Sequence, residues 1–177
     1  MFKDTVRHHP SRLAIAVCLA VLSTAAGCGY RFSTSGQIGN NITTVSVAML
    51  ENRTAETGVE NIFTNDLIFE FTKNGNTIVE REAADAVLSG SIDAMPIETV
   101  AYQGQITSIE RRITAFVTLK LIDRKGQVIW SAAALSQSEA YGILQEKVAT
   151  DYNKREAIRI LSKRLAEDAY SRITESF

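Results

Sequence analysis

Between residues 106 and 122 the chain alternates for longer than anywhere else: Ile113, Ala115, Val117, Leu119 and Leu121 are separated by Arg112, Thr114, Thr118 and Lys120. A period of two places every apolar member on one face, so the segment reads as a long strand with one buried and one wet face. Such one-sidedness implies an antiparallel sheet rather than a fully covered parallel one. Whatever else the chain folds into, something apolar must cover the odd-numbered side.

Other segments supply the cover and further strands. Thr44 to Leu50 alternates with Val45, Val47 and Met49 inward, and Glu51-Asn52-Arg53-Thr54 ends it. Thr57 and Glu60 have the spacing of a capping box, after which Val59, Ile62, Phe63, Leu67 and Phe71 recur at helical intervals, with Ile68 and Phe69 widening the apolar face. Asn74-Gly75 is a left-handed stop, so a helix is predicted from about 58 to 73. A short extended piece at 77 to 79 leads to a strand over 86 to 95, with a bulge expected at Gly90 and Pro96 ending it. Asp123 to Gly126 is a turn and 128 to 135 the returning strand, while 137 to 150 reads as irregular. Asn153 and Glu156 repeat the cap spacing before Ile158, Leu161, Leu165, Ala169 and Ile173. The expectation is an α+β domain: a four-stranded, mainly antiparallel sheet with two amphipathic helices on one face, in the order strand, helix, three strands, helix.

The N-terminus belongs to a different category. Lys3, Arg7 and Arg12 against Asp4 form a positive start, followed by an uncharged run from Leu13 to Ala26. As a helix that run spans roughly 21 Å, short of the ~30 Å hydrocarbon core, so it reads as a cleaved signal peptide over residues 1 to 27. The junction Ala25-Ala26-Gly27-Cys28 resembles the lipobox of bacterial lipoproteins, with alanine where leucine is commonest three residues before the cysteine. The resemblance implies acylation of Cys28, palmitate included, and two or more acyl chains anchor stably. Gly29 follows in place of the aspartate that commonly retains such proteins at the inner membrane, which points to the outer membrane. Residues 28 to 41 read as lipidated cysteine and tether, and 42 to 177 as one domain.

The signal carries three positive charges and one negative, so its removal takes the net charge from −1 to −3, and no basic excess suggests nucleic acid. Both histidines, His8 and His9, and Cys18 leave with it. What remains has no imidazole for general acid-base work, a serine triad or the commonest metal site, and Cys28 is its sole cysteine. No nucleotide-binding or nucleophile-elbow motif occurs. Glu80, Glu82 and Asp85 are the remaining carboxylate candidates, but neighbours in a polar turn lack the cleft geometry that glycoside hydrolysis needs. No enzyme activity, cofactor or metal is expected.

Several stretches together are similar to the lipopolysaccharide-assembly lipoprotein family, LptE. They are Cys28-Gly29-Tyr30-Arg31-Phe32, Val45 to Thr54, Gly58-Val59-Glu60, Ala84 to Ile92, the Asp123 to Trp130 hairpin and the C-terminal helix. The resemblance implies a plug-like adaptor held within the LptD barrel of the outer membrane, assisting its assembly and contacting lipopolysaccharide. A penicillin-binding-protein activator of similar build is the alternative, though such proteins usually carry a longer tether. Arg112 and Lys120 on the wet sheet face are the candidate phosphate contacts. Eight residues set them about 26 Å apart, too far to clamp one phosphate together.

Overall fold

The computed structural model describes residues 38, 39, 42–103 and 107–177. The signal peptide, Cys28 and most of the tether lie outside the described residues. Element order is β1 (Thr44–Val47), β2 (Glu51–Asn52), α1 (Val59–Lys73), β3 (Thr77–Ile78), β4 (Ala86–Ala94), β5 (Ile97–Gln103), β6 (Thr107–Asp123), β7 (Val128–Gly142) and α2 (Lys147–Glu175).

These strands form one mixed, seven-stranded sheet, which corrects the four-stranded, mainly antiparallel expectation. Strand β6 is long enough to carry β4 against Phe116–Asp123 and β5 against Thr107–Ile113, both antiparallel. Strand β7 pairs antiparallel with Glu110–Ile122, a span overlapping both, so it takes the opposite edge of β6. On the other side of β4 the pairing is parallel: β1 and then β2 lie beside it, and β3 adds a two-residue parallel edge to β1. The parallel half follows from α1, because a helical crossover returns the chain to the same end of the sheet before β3 and β4 begin. Alternation within a strand reports which face is buried and carries no direction of pairing. The expected count of four also read Glu51-Asn52, which form β2, as the end of the first strand, and expected Met49 to point inward. Strand β1 ends at Val47, and Leu50 rather than Met49 enters the core, Leu50 being 2% exposed and Met49 64%.

The core lies between sheet and helices as predicted for β6: Ile113, Ala115, Val117, Leu119 and Leu121 are fully buried, facing Phe63, Leu67 and Phe71 of α1 and Ile158, Leu161, Leu165, Ala169 and Ile173 of α2. Phe71 meets Tyr170 edge to face at 5.1 Å between centroids, tying the two helices. Phe69, expected to widen the buried face of α1, is 58% exposed.

Helix ends depart from the sequence reading at the N-termini. Thr57 and Glu60 form no capping box; Gly58, with φ 82°, precedes α1 and makes no side-chain cap. The Glu60 carboxylate instead accepts from Asn52 Nδ2 at 2.9 Å, while Asn52 Oδ1 accepts from the Thr54 amide and hydroxyl, so the Asn52 side chain organises the whole turn. At the other end the expected stop forms completely. Gly75 adopts φ 90°, its amide donates to Thr72 O, and the Asn76 amide donates to Phe71 O, each at 3.0 Å. Helix α2 begins at Lys147, ahead of the expected Asn153 cap, and β7 runs on to Gly142 through residues expected to be irregular. Asn153 lies within the helix and donates from Nδ2 to the Gly142 carbonyl at 3.0 Å, pinning the helix to the strand end.

No bulge occurs at Gly90, which keeps register with Leu119; the shift falls between Ile92 and Ala94. Glycine is needed there for another reason. A Cβ at position 90 would overlap the Thr118 carbonyl oxygen and come within 2.8 Å of Leu119 Cδ2. The strands approach through the space that a side chain would occupy.

Candidate functional site

With both helices on one face, the other carries the even-numbered residues of β6 and the odd-numbered residues of β4. Register sets Ser89 and Ser131 on either side of Lys120, and Ser91 beside Thr118. Further along, Thr114 lies beside Ser138 and Phe116 beside Ser136. The outcome is a face rich in small hydroxyl side chains with few bulky groups.

A groove of about 350 Å³ opens in it, lined by Glu51, Arg53, Ser89, Gly90, Ser91, Thr118 and Lys120. Its floor includes the backbone of Gly90. Asp93 organises one wall: it accepts from Thr118 Oγ1 at 2.6 Å, Ser91 Oγ at 2.7 Å and Arg53 Nη1 at 3.2 Å. The Thr118 hydroxyl first, then Ser91, hold the Asp93 carboxyl below its ordinary range against the opposing effect of burial, and Arg53 adds to this. Arg53 Nη2 also donates to Glu51 Oε2 at 2.7 Å, lowering the Glu51 carboxyl and raising the guanidinium. Arg53 is therefore fixed at the rim between two carboxylates. Lys120 has no ion-pair partner among the described residues.

Of the two basic residues expected on this face, Lys120 lines the groove and Arg112 does not. Arg112 sits between Glu98 and Ala140 in register, exposed, on the β5 half of β6. The structure does not bring the pair together; it brings Lys120 together with Arg53. Sequence reasoning took Arg53 only as part of the turn that ends the first strand. Nothing in a linear reading predicts that β2 lies parallel to β4 at Glu51↔Ser91, which is what delivers Arg53 to Asp93.

A second depression, about 460 Å³, lies at the opposite end of the sheet beside Arg81, Asp85, Ile122 and Arg124. Here Asp85 is a structural clip. Its Oδ2 accepts from the Thr44 hydroxyl at 2.7 Å, the Thr44 amide at 2.9 Å and the Thr43 amide at 3.2 Å, and Arg124 Nη2 lies 3.1 Å from Oδ1. The Thr44 hydroxyl, then the Thr44 and Thr43 amides and the Arg124 charge, bring the carboxyl down to about 2 despite desolvation. Glu80 and Glu82, the other carboxylate candidates, are exposed. Among the described residues no cluster of three or more His, Cys, Asp or Glu is placed to hold a metal ion, and no helix is long and apolar enough to cross a membrane.

The groove thus offers an ammonium and a fixed guanidinium as donors for a phosphate, and hydroxyls as partners for sugar hydroxyls. A family model described as LptE, lipopolysaccharide-assembly, matches residues 42–173. Among solved structures the chain is similar to uncharacterized lipoprotein B from Nitrosomonas europaea, with TM-score 0.55 and 12% identity over 81% of this chain and 88% of that one. A minor lipoprotein from Acinetobacter baumannii gives TM-score 0.52 and 22% identity over 76% and 92%. A lipoprotein from Caulobacter crescentus gives 0.50 and 12% over 72% and 88%. At these identities the likeness is one of fold. No curated protein matches.

Proposed function

Since the chain belongs to the LptE lipopolysaccharide-assembly family, matched over residues 42–173, we propose that it is the adaptor and plug of the LptD barrel and contacts lipopolysaccharide through its uncovered sheet face. Cys28, acylated after removal of residues 1–27, tethers the 42–177 domain to the outer membrane through the short segment before Ile42. The adaptor is non-catalytic.

The observation that supports the ligand half of this reading is the groove: Lys120 without a carboxylate partner among the described residues, Arg53 held at the rim, and Ser89, Ser91 and Thr118 between them. Lipopolysaccharide presents phosphates beside sugar hydroxyls, and charge-assisted donors are the strong contacts for the former. Arg112 belongs to the same face, outside the groove, as a second and weaker contact.

Binding of purified lipopolysaccharide to the full chain in detergent tests this. Lys120→Glu should weaken binding by about tenfold, the loss of one charge-assisted contact, Arg112→Glu by less, and the double reversal by more than either. Unchanged affinity in the double variant overturns the ligand assignment. For the partner half, the tagged protein should co-purify with LptD from solubilised outer membrane, and its depletion should admit large antibiotics with peptidoglycan synthesis unaffected. Recovery of a penicillin-binding protein with no barrel identifies an activator instead.

A further inference from the structure

Among the described residues no strand pairs with the outer edge of β7, and the hydrogen-bonding phase of that edge is fixed by the contacts around it. The Ile143 amide donates to the Ile109 carbonyl at 2.9 Å. In an antiparallel ladder, residues that exchange hydrogen bonds with the neighbour alternate with residues whose N–H and C=O turn away. Register is uninterrupted from Leu135↔Val117 to Gly142↔Glu110. Counting back from Ile143, therefore, Tyr141, Glu139, Gln137 and Leu135 bond β6, while Gly142, Ala140, Ser138 and Ser136 aim their backbone groups outward. Two contacts agree with this phase. The Thr114 amide, opposite Ser138, turns away from β7 to the Pro96 carbonyl at 3.1 Å, and the Gly142 carbonyl is taken from outside by Asn153. For Ser136, Ser138 and Ala140 no backbone partner lies on the outer side among the described residues.

Natural sheets usually blunt such an edge with lysine, proline or a covering element. Strand β7 contains neither lysine nor proline, and Glu139, its one charged residue, is paired with Arg164 of α2. The outward-aimed residues have small side chains, and Ser136 and Ser138 are exposed. The regular stretch ends at a bulge in which Ala133 and Ala134 stand opposite Thr118, Ala134 in the left-handed region at φ 54°.

We propose that Ser136–Gly142 is a docking edge, to which an extended segment of the LptD partner adds as a further strand. Three N–H and three C=O groups alternating at strand spacing are complemented by an extended polypeptide backbone, which sugar or acyl chains do not reproduce. A closed barrel wall has no free strand edge, so the added segment comes from a loop or terminus of the partner. This inference rests on the barrel reading given above.

Proline at 138 tests it without dismantling the fold, because the Ser138 amide points away from β6 and its loss costs no ladder bond. Full-length Ser138→Pro should keep a cooperative denaturation transition close to wild type yet recover LptD at least about tenfold less well. In the wild-type complex the amides of Ser136, Ser138 and Ala140 should exchange about 100-fold more slowly than in the free chain. If the wild-type complex forms while those amides exchange as in the free chain, the edge proposal is overturned and the barrel reading stands. If wild type recovers no barrel, both fall. Should the same amides be protected only by self-association of this chain without LptD, the occupant is a second copy and the proposal is wrong.

Discussion

Replacing Asp85 by asparagine isolates the clip between β1 and β4. The carboxylate takes hydrogen bonds from the Thr44 hydroxyl and amide and the Thr43 amide, and pairs with Arg124; asparagine keeps one acceptor oxygen and loses the charge. In the folded chain the group titrates at about 2 instead of its ordinary 3.8. At ~1.36 kcal/mol per pKa unit that difference is worth roughly 2.4 kcal/mol. The side chain is 24% exposed, so water screens part of it, and about 1–2 kcal/mol is the expected effect. A depressed folded pKa means that the unfolded chain binds more protons between the two values. The stabilisation is therefore complete above about pH 5 and disappears as pH falls through 3.8 towards 2. Urea denaturation of both proteins between pH 7 and pH 2 reads this directly: Asp85→Asn should lower the midpoint by roughly 0.5–1 M at neutral pH. The two curves should converge near pH 2. Asp93 and Glu51, also lowered, titrate in both proteins and cancel in the difference. A gap that stays constant over the pH range would refute the charge argument and leave only a packing effect.

Gly90→Ala should destabilise by about 1–3 kcal/mol, since a Cβ there meets backbone and β4 or β6 must shift; thermal melting measures it, and a neutral result would mean that the strands separate freely. Leu67→Ala and Leu161→Ala, both fully buried, should each cost ~2–5 kcal/mol, whereas exposed Phe69→Ala should stay within about 0.5 kcal/mol of wild type. Equal losses at positions 67 and 69 in chemical denaturation would show the α1 faces to be misassigned. Mass spectrometry of membrane-extracted protein should find acyl chains on Cys28, and Cys28→Ala should release the domain from the membrane fraction; an unmodified thiol at residue 28 defeats the anchor.

Local chemistry alone determined a good deal of this protein. The period of two over 113–121 selected the buried face of β6 residue by residue, the 3.6 period selected Phe63, Leu67, Phe71, Leu161 and Leu165, and Asn74-Gly75 stopped α1, because each depends only on neighbours a few residues away. The expectation of a lipidated Cys28 rests on local motifs in the same way. Tertiary structure decided what those patterns do not encode. Parallel pairing of β1 and β2 with β4 is set by the crossover through α1. Glu60 does not cap α1; its carboxylate accepts from Asn52, eight residues away and in a strand. Asn153 became a helix-to-strand pin because α2 could start six residues earlier once β7 had carried the chain to Gly142. The site shows the same division. Lys120 was legible as an outward-facing base on a one-sided strand, but its companion is Arg53, delivered from far along the chain by strand register, while Arg112 stays apart on the same strand. Which face a residue occupies is a property of its own strand; which residues share a groove is a property of how strands are ordered, and that order is fixed only when the core closes.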